Sequence, residues 1–159
     1  MKKLPVRLRN MMPEDRNFIL NSWLKSYRKE PAVRGMENNA YYHEQGKLIK
    51  ELLDSVNVLV ACDEKDSTQI LGYLVSQRID NVFIIHWLYT KLPFRNMGIG
   101  KMLIQARDHD LGEVAACYTH HTDAAKRLAY KYRFMYNPFI TRYFKDYVEG
   151  DIDYASIES

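Results

Sequence analysis

The chain has 159 residues, enough for one domain with a sizeable core, and 47% of them are hydrophobic, which excludes an intrinsically disordered chain. Its formal net charge of +3 leaves nucleic acid, an anionic ligand and an acidic protein open as partners. No apolar run approaches the roughly 20 residues of a membrane-spanning helix, so we expect no association with a membrane.

The charge is unevenly divided along the chain. Five of the 20 acidic residues follow Lys145 and no Lys or Arg does, so residues 1–145 carry 23 basic against 15 acidic residues. No repeat or Gly/Ser linker divides residues 1–145. We therefore predict a single domain over residues 1–145 and an acidic C-terminal tail over residues 146–159. Two cysteines and an N-terminus without an apolar leader favour a cytoplasmic protein.

The first third of the chain combines one strand with two helices. Alternation of apolar residues with others predicts a strand over Leu4–Arg9. The run Met12-Pro13-Glu14-Asp15 opens a helix, because proline and acidic residues suit a first turn. The other predictions here are the end of that helix near Arg28, a loop over Glu30–Asn39, and a helix over Ala40–Leu53 capped by Asn38 or Asn39.

The rest of the chain alternates apolar runs with turn signals and helical patterns. These predict strands over Val56–Ala61, Ile70–Gln77, Val82–Tyr89 and Glu113–Tyr118, helices over Gly98–Asp108 and Asp123–Tyr132, and a last strand or strand pair over Phe134–Tyr143. The element order is β-α-α-β-β-β-α-β-α-β. This order predicts an α/β (mixed α+β) fold with a central, mostly antiparallel mixed sheet of 6–7 twisted strands and helices on both faces.

One segment carries a pattern with chemical meaning. Arg95-x-x-Gly98-x-Gly100 follows a buried strand and opens a helix, so several backbone N–H groups are exposed at a helix N-terminus. The two glycines lack Cβ atoms, which lets a diphosphate approach the backbone, and Arg95 and Lys101 add positive charge. On spacing alone, a tight turn without a ligand explains the same pattern equally well.

A longer motif surrounds this loop: Leu88-x-x-x-x-Pro93-x-Arg95-x-x-Gly98-Ile99-Gly100-x-x-Leu103. It resembles the acetyl-coenzyme A signature of the GNAT superfamily of N-acetyltransferases in the spacing of its leucines, proline, arginine and glycines. Two other segments resemble parts of that family, Met12-Pro13-Glu14-Asp15 at the first helix and Ala125-x-x-Leu128-x-x-Lys131-x-x-Phe134 near the C-terminus. The predicted strand order is also that of the family, so the resemblance implies a GNAT-like fold.

The resemblance implies a binding site for acetyl-coenzyme A. The diphosphate would contact the backbone of the loop, and the pantetheine arm would lie beside the strand before it. The predicted contacts are Leu88, Tyr89, Thr90, Arg95, Asn96, Met97, Gly98, Ile99, Gly100 and Lys101. Asn96 stands where the family usually has glycine, a mild departure because asparagine tolerates positive φ.

Catalytic residues are harder to assign from the resemblance. The family often places a tyrosine acid at the position of Ala129, so Tyr130 and Tyr132 are the neighbouring candidates. An aromatic residue of the core or surface is the alternative for both. His120 follows the strand that would complete the cleft, and an imidazole can take a proton from an amine near neutral pH. A hydrogen-bonded structural histidine is the equal alternative. No metal site is expected.

Direct transfer of an acetyl group from acetyl-coenzyme A to a primary amine, on a small molecule or a protein, is the implied activity. Trp23, Tyr27 and Tyr41 are the candidate substrate-binding residues, with an ordinary apolar helix face as the alternative. A second hypothesis is a catalytically weak GNAT-fold protein that binds coenzyme A or a macromolecule. Nucleic acid ranks last as a partner because no recognition motif accompanies the basic charge. A homodimer is an open alternative, and the acceptor amine is not identified.

Overall fold

The computed structural model describes residues 5–80, 82–107 and 115–140. Six strands are present in this part of the chain: β1 (Val6–Asn10), β2 (Asn57–Asp63), β3 (Ile70–Ile79), β4 (Val82–Thr90), β5 (Ala115–Tyr118) and β6 (Met135–Tyr136). The helices are α1 (Arg16–Tyr27), α2 (Pro31–Arg34), α3 (Asn38–Ser55), α4 (Ile99–Gln105) and α5 (Asp123–Tyr132), with short 3₁₀ turns at Pro13–Asp15 and Leu92–Phe94.

The strands form one mixed sheet in chain order, β1-β2-β3-β4-β5-β6. Strands β1 to β4 are antiparallel neighbours, whereas β4 with β5 and β5 with β6 are parallel. The parallel pairs follow from the connections, because a helix between two strands returns the chain to the same end of the sheet. The predicted fold class and element order are therefore confirmed.

Both faces of the central strands are buried, which explains their nearly continuous apolar sequences. On one face, Tyr73, Val75 and Trp87 pack with residues of α1 and α3. On the other face, Leu74 and Phe83 pack with residues of α4 and α5. The two layers of helices hold the sheet between them, as the sequence pattern predicts.

The segment between α1 and α3 differs from its prediction. The expected loop over Glu30–Asn39 contains the one-turn helix α2, which begins at a proline. The guanidinium of Arg28 donates to the carbonyls of Val33 (2.8 Å) and Met36 (2.8 Å) and so ties this turn to the end of α1. The sequence pattern does not reveal these hydrogen bonds from the side chain of Arg28.

The cap of α3 is also different from the prediction. Glu37, and neither Asn38 nor Asn39, precedes the helix, and its two carboxylate oxygens accept the N–H groups of Asn39 and Ala40, each at 2.9 Å. These bonds lower the pKa of Glu37. A glutamate reaches the first-turn N–H groups as asparagine does, because its carboxylate adopts the same capping position with a longer arm.

Other boundaries move by a few residues. The helix predicted over Gly98–Asp108 spans Ile99–Gln105, and the last strand spans Met135–Tyr136 within the predicted Phe134–Tyr143. Residues 1–4, 81, 108–114 and 141–159 lie outside the described part of the chain, so the acidic tail and the domain boundary remain predictions. Among the described helices, none has the length and apolar character to cross a membrane.

A close approach between strands makes Gly72 sensitive to substitution. A Cβ atom on Gly72 would lie 2.6 Å from the carbonyl oxygen of Tyr89 and 3.2 Å from Cγ2 of Ile99. We expect Gly72→Ala to lower the free energy of unfolding by about 1–3 kcal/mol, because strand backbone must move. Gly46→Ala is the matched control: nothing lies within 4 Å of the added atom in α3, so a gain of about 0.5–1 kcal/mol is expected.

Urea denaturation monitored by circular dichroism measures both changes. Equal effects of the two substitutions would contradict the close approach at Gly72.

Candidate functional site

Strands β4 and β5 separate at one end of the sheet. Their pairing ends at Ile85 opposite Tyr118, and the N–H of Thr119 donates to the Ile85 carbonyl at 3.1 Å. The register of β3 and β4 shifts at the same level, since Val75 faces Trp87 while the next residue faces Ile85. His86 is therefore the extra residue of a β-bulge in β4. Bulges bend a strand and redirect its side chains, and this one lies where the two strands part.

A cavity opens between the separated strands and α5. It is partly open to solvent, and its enclosed volume is only about 30 Å³. Most of its walls are apolar, and the side chains able to exchange a proton are His86, His120 and Tyr118. The remaining lining residues are Ile85, Trp87, Leu88, Thr122, Ala124, Ala125, Leu128 and Phe134. An apolar cavity with a few polar groups is a typical small-molecule site.

His120 lies in a cluster of aromatic rings beside this cavity. Its ring centroid is 4.9 Å from that of Tyr27, 5.2 Å from that of Trp23 and 5.9 Å from that of Trp87, all with steep interplanar angles. Trp23 and Trp87 are themselves stacked at 5.3 Å. Burial lowers the pKa of His120 to about 4, although the backbone carbonyl of His86 acts in the opposite direction. The ring is therefore neutral at physiological pH.

Four polar side chains form a continuous chain of hydrogen bonds. Nε2 of His86 lies 2.6 Å from Oε1 of Gln77, and Nδ1 of His86 lies 3.0 Å from Oγ1 of Thr119. Oγ1 of Thr119 lies 2.9 Å from Nδ1 of His120. Burial, with a smaller contribution from His120, lowers the pKa of His86 to about 3. Both imidazoles are thus neutral and buried.

The glycine loop follows β4 at the same end of the sheet. Asn96 and Gly98 both have left-handed backbone conformations, with φ of 64° and 84°. These are the two positions of the loop where asparagine and glycine are better tolerated than other residues. Loops of this kind bring successive N–H groups together around an anion.

The loop also presents free donors and positive charge. The first helical hydrogen bond of α4 runs from the N–H of Met102 to the carbonyl of Gly98, at 2.9 Å. The N–H groups of residues 99–101 lie before this bond, so they have no acceptor within the helix. Nε of Arg95 donates to the carbonyl of Thr90 at 3.0 Å, which anchors the guanidinium at the end of β4. A Cβ atom on Gly100 would lie 3.6 Å from Leu88, so larger side chains would crowd the gap between α4 and β4.

The structure separates the candidate catalytic residues. His120 lines the cavity, but neither Tyr130 nor Tyr132 does. Tyr130 is 93% exposed. Tyr132 is half-buried and stacks on Phe134 at 5.6 Å. The helical rotation of about 100° per residue turns Tyr130 away from the face of Ala129, whereas Tyr132 lies nearly a turn further along the helix, against Phe134.

The three candidate substrate-binding residues belong to the core. Trp23 and Tyr41 have 0% exposure and Tyr27 has 5%. The hydroxyl of Tyr41 donates to the carbonyl of Leu24, which satisfies it within the helical layer. Trp23 and Tyr41 therefore present no exposed surface to an acceptor in this structure, which favours the alternative of an apolar helix face. Tyr27 is different because it contacts His120.

Three residues of the site were not singled out in the sequence. Tyr118 lines the cavity, and its hydroxyl lies 3.1 Å from Nδ1 of His121. Gln77 and Thr119 complete the hydrogen-bond chain. Pairing the two strands outward from the predicted turn Asp80-Asn81 places Gln77 opposite Ile84, near His86. This register is the sequence signal that could have identified Gln77. Within the described residues, no group of three His, Cys, Asp or Glu side chains could hold a metal ion.

Comparison with protein families gives one match. The model of the family described as Acetyltransferase (GNAT) family matches residues 18–133, more than half of the chain. No curated protein sequence matches the chain significantly.

Solved structures with the same fold include several acetyltransferases. One from Corynebacterium glutamicum, described as histone acetyltransferase HPA2 and related acetyltransferase, is 14% identical with a TM-score of 0.60 and covers 80% of this chain and 83% of its own. PaiA N-acetyltransferase from Thermoplasma acidophilum, in complex with coenzyme A, is 18% identical with a TM-score of 0.55 and covers 80% and 87%.

A GNAT family acetyltransferase from Brucella melitensis, in complex with acetyl-coenzyme A, is 16% identical with a TM-score of 0.53 and covers 79% and 82%. The chain spans 64% of the length of several other matching structures. At these identities, the likeness establishes a common fold.

Proposed function

The chain belongs to the GNAT acetyltransferase family, and from this premise we propose that it transfers an acetyl group from acetyl-coenzyme A to a primary amine. One observation carries the proposal: the glycine loop lies at the end of β4, where β4 and β5 part around a cavity that contains two neutral histidines. A donor at the loop and an amine at the cavity would meet between the separated strands.

The residues of the loop fit coenzyme A. Arg95 and Lys101 would balance the charge of its phosphates, and the N–H groups of residues 99–101 would donate to them. Beyond Ile85, as far as Thr90, the edge of β4 is not paired with β5. The pantetheine arm would lie along this edge. When bound, acetyl-coenzyme A would supply the acetyl group as a thioester. Transfer breaks the thioester bond, forms an amide bond with the amine and leaves coenzyme A as a free thiol.

His120 is the proposed proton acceptor. An amine must lose a proton to become a nucleophile, and a neutral imidazole at the cavity can take that proton. Burial lowers the pKa of His120 to about 4, so the ring is a free base at pH 7, and the same burial disfavours its cation. The imidazolium that forms would therefore be short-lived.

Tyr118 is the proposed proton donor to the thiolate that leaves the thioester. Burial and the nearby Tyr136 raise its pKa, so its hydroxyl keeps its proton near neutral pH. We expect Tyr118→Phe to lower kcat by about 100-fold with little change in KM. Tyr130→Phe is the matched control and should leave kcat unchanged, because Tyr130 is 93% exposed. Steady-state assays of thiol release measure both, and the reverse ranking would assign the proton donor to Tyr130.

The charges near the cavity favour a cationic acceptor. Glu30 is half-buried, and burial followed by the charge of Asp123 raises its pKa. Two neighbouring carboxylates repel each other and attract an ammonium group. Lys126 and His121 partly offset this field. Glu37 is not available for the same role, since both its oxygens cap α3.

Calorimetric titration with acetyl-coenzyme A, with desulfo-coenzyme A as comparison, is the test of the cofactor. Micromolar binding would support the proposal and justify a screen of amines by mass spectrometry, which detects the added acetyl group. Binding without transfer to any amine class would leave a module that binds coenzyme A, and no binding would overturn the proposed function.

A further inference from the structure

With Oε1 of Gln77 facing His86, the buried chain from Gln77 to His120 has one consistent placement of its hydrogens. The carbonyl oxygen of Gln77 can only accept, so Nε2 of His86 carries a hydrogen. A neutral imidazole has one hydrogen, so Nδ1 of His86 is an acceptor and the Thr119 hydroxyl donates to it. The hydroxyl has then used its single hydrogen, and its oxygen accepts from Nδ1–H of His120.

This count leaves Nε2 of His120 as the atom of the ring with a free lone pair. Position and burial support the count, since His86 is 3% exposed and Thr119 and His120 are each 7% exposed. Water therefore has little access to exchange these partners. The other neighbours of His120 are the backbone carbonyl of His86, which can only accept a hydrogen bond, and the rings of Trp23, Tyr27 and Trp87. Tyr27 is the titratable member of these three, and burial, with Tyr136 and Glu30, raises its pKa to about 12.

We infer that Gln77, His86 and Thr119 are positioning residues that hold His120 as the Nδ1–H tautomer, so that Nε2 is the atom that takes the proton from the acceptor amine. The inference rests on the proposed function for the role of Nε2, while the tautomer itself is a property of the free protein. In the proton transfer, the N–H bond of the ammonium breaks and its hydrogen is bound by Nε2, which becomes part of an imidazolium. The three positioning residues do not touch the substrate.

Two substitutions at one position separate the hydroxyl from the side-chain volume. Thr119→Val has nearly the shape of threonine but cannot bridge the two rings, whereas Thr119→Ser keeps the hydroxyl. Long-range ¹H–¹⁵N correlation spectra of the imidazoles, recorded on the protein without ligand, report which ring nitrogen carries the hydrogen. We expect the Nδ1–H tautomer of His120 in the wild type and in Thr119→Ser, and a mixture of tautomers in Thr119→Val.

The same proteins are then assayed with acetyl-coenzyme A and the best amine found. Thr119→Val should lower kcat at least about tenfold while KM changes little, and Thr119→Ser should restore most of the rate. An Nε2–H tautomer in the wild type would mean that the chain of donors runs in the opposite direction and would overturn the inference.

A change of tautomer in Thr119→Val without a loss of rate would overturn the catalytic role of Nε2. The activity of the wild type tests the proposed function separately, because the spectra of the free protein need no acetyl transfer. Should Thr119→Val fold poorly, Gln77→Leu removes the other end of the chain. It should relax the tautomer of His120, and an unchanged tautomer would contradict the inference.

Discussion

Replacing Gly98 by glutamate is expected to abolish the binding of acetyl-coenzyme A. Gly98 has φ of 84° and begins the turn into α4, where the proposed diphosphate contacts lie. A glutamate there places a carboxylate among the donors that would hold phosphate, and like charges at such a distance repel strongly in a partly desolvated site. Calorimetric titration should show a loss of affinity of at least about 100-fold.

Two variants separate charge from backbone strain. Gly98→Asn keeps a residue that tolerates positive φ and adds no charge, so it should retain most of the affinity. Gly35→Glu makes the same chemical change where φ is −83° and no atom lies within 4 Å, so it should bind like the wild type. Unchanged affinity in Gly98→Glu would place the cofactor elsewhere, and equal losses in Gly98→Asn would point to strain.

Acidification is expected to destabilise the fold before most carboxylates titrate. Burial lowers the pKa of His86 to about 3 and that of His120 to about 4, both below the ordinary value of 6.5. The unfolded chain therefore binds more protons than the native protein below pH 6.5, and stability falls as pH falls. Each histidine should cost about 1.4 kcal/mol between pH 7.5 and pH 5.5, which gives about 3 kcal/mol together.

Urea denaturation at the two pH values measures this loss. His86→Gln should remove about half of the pH dependence, because a neutral amide does not titrate. Asp15 contributes outside this window: burial opposes its ionisation, but hydrogen bonds from Arg9 and Met12 outweigh burial and lower its pKa. A free energy of unfolding that is constant from pH 7.5 to pH 5.5 would show that the two imidazoles are not buried as neutral groups.

The sequence determined the framework of this protein to a large extent. The strands over Ile70–Ile79 and Val82–Thr90 follow from β-branched and aromatic runs around a two-residue turn, and α5 over Asp123–Tyr132 begins and ends where its cap and periodicity place it. The family resemblance rested on local spacing in the glycine loop. The family match over residues 18–133 confirmed membership, and the contacts of the loop with coenzyme A remain a proposal.

The tertiary structure decided which side chains share the cavity. Tyr130 and Tyr132 lie one and three residues after the position where the family often has its acid, yet neither lines the cavity. Gln77 and Thr119 are separated by 42 positions in sequence and meet only because His86 bridges them at a bulge. Hydropathy patterns carry no information on such a contact.

The sequence by itself therefore determines the identity and order of the elements, because turn chemistry, caps and periodicity act over a few residues. What only the tertiary structure decided is the protonation chemistry of the site. Burial, which sets the pKa of His86 and His120, and the direction of their hydrogen bonds both depend on groups brought together from β3, β4 and the end of β5.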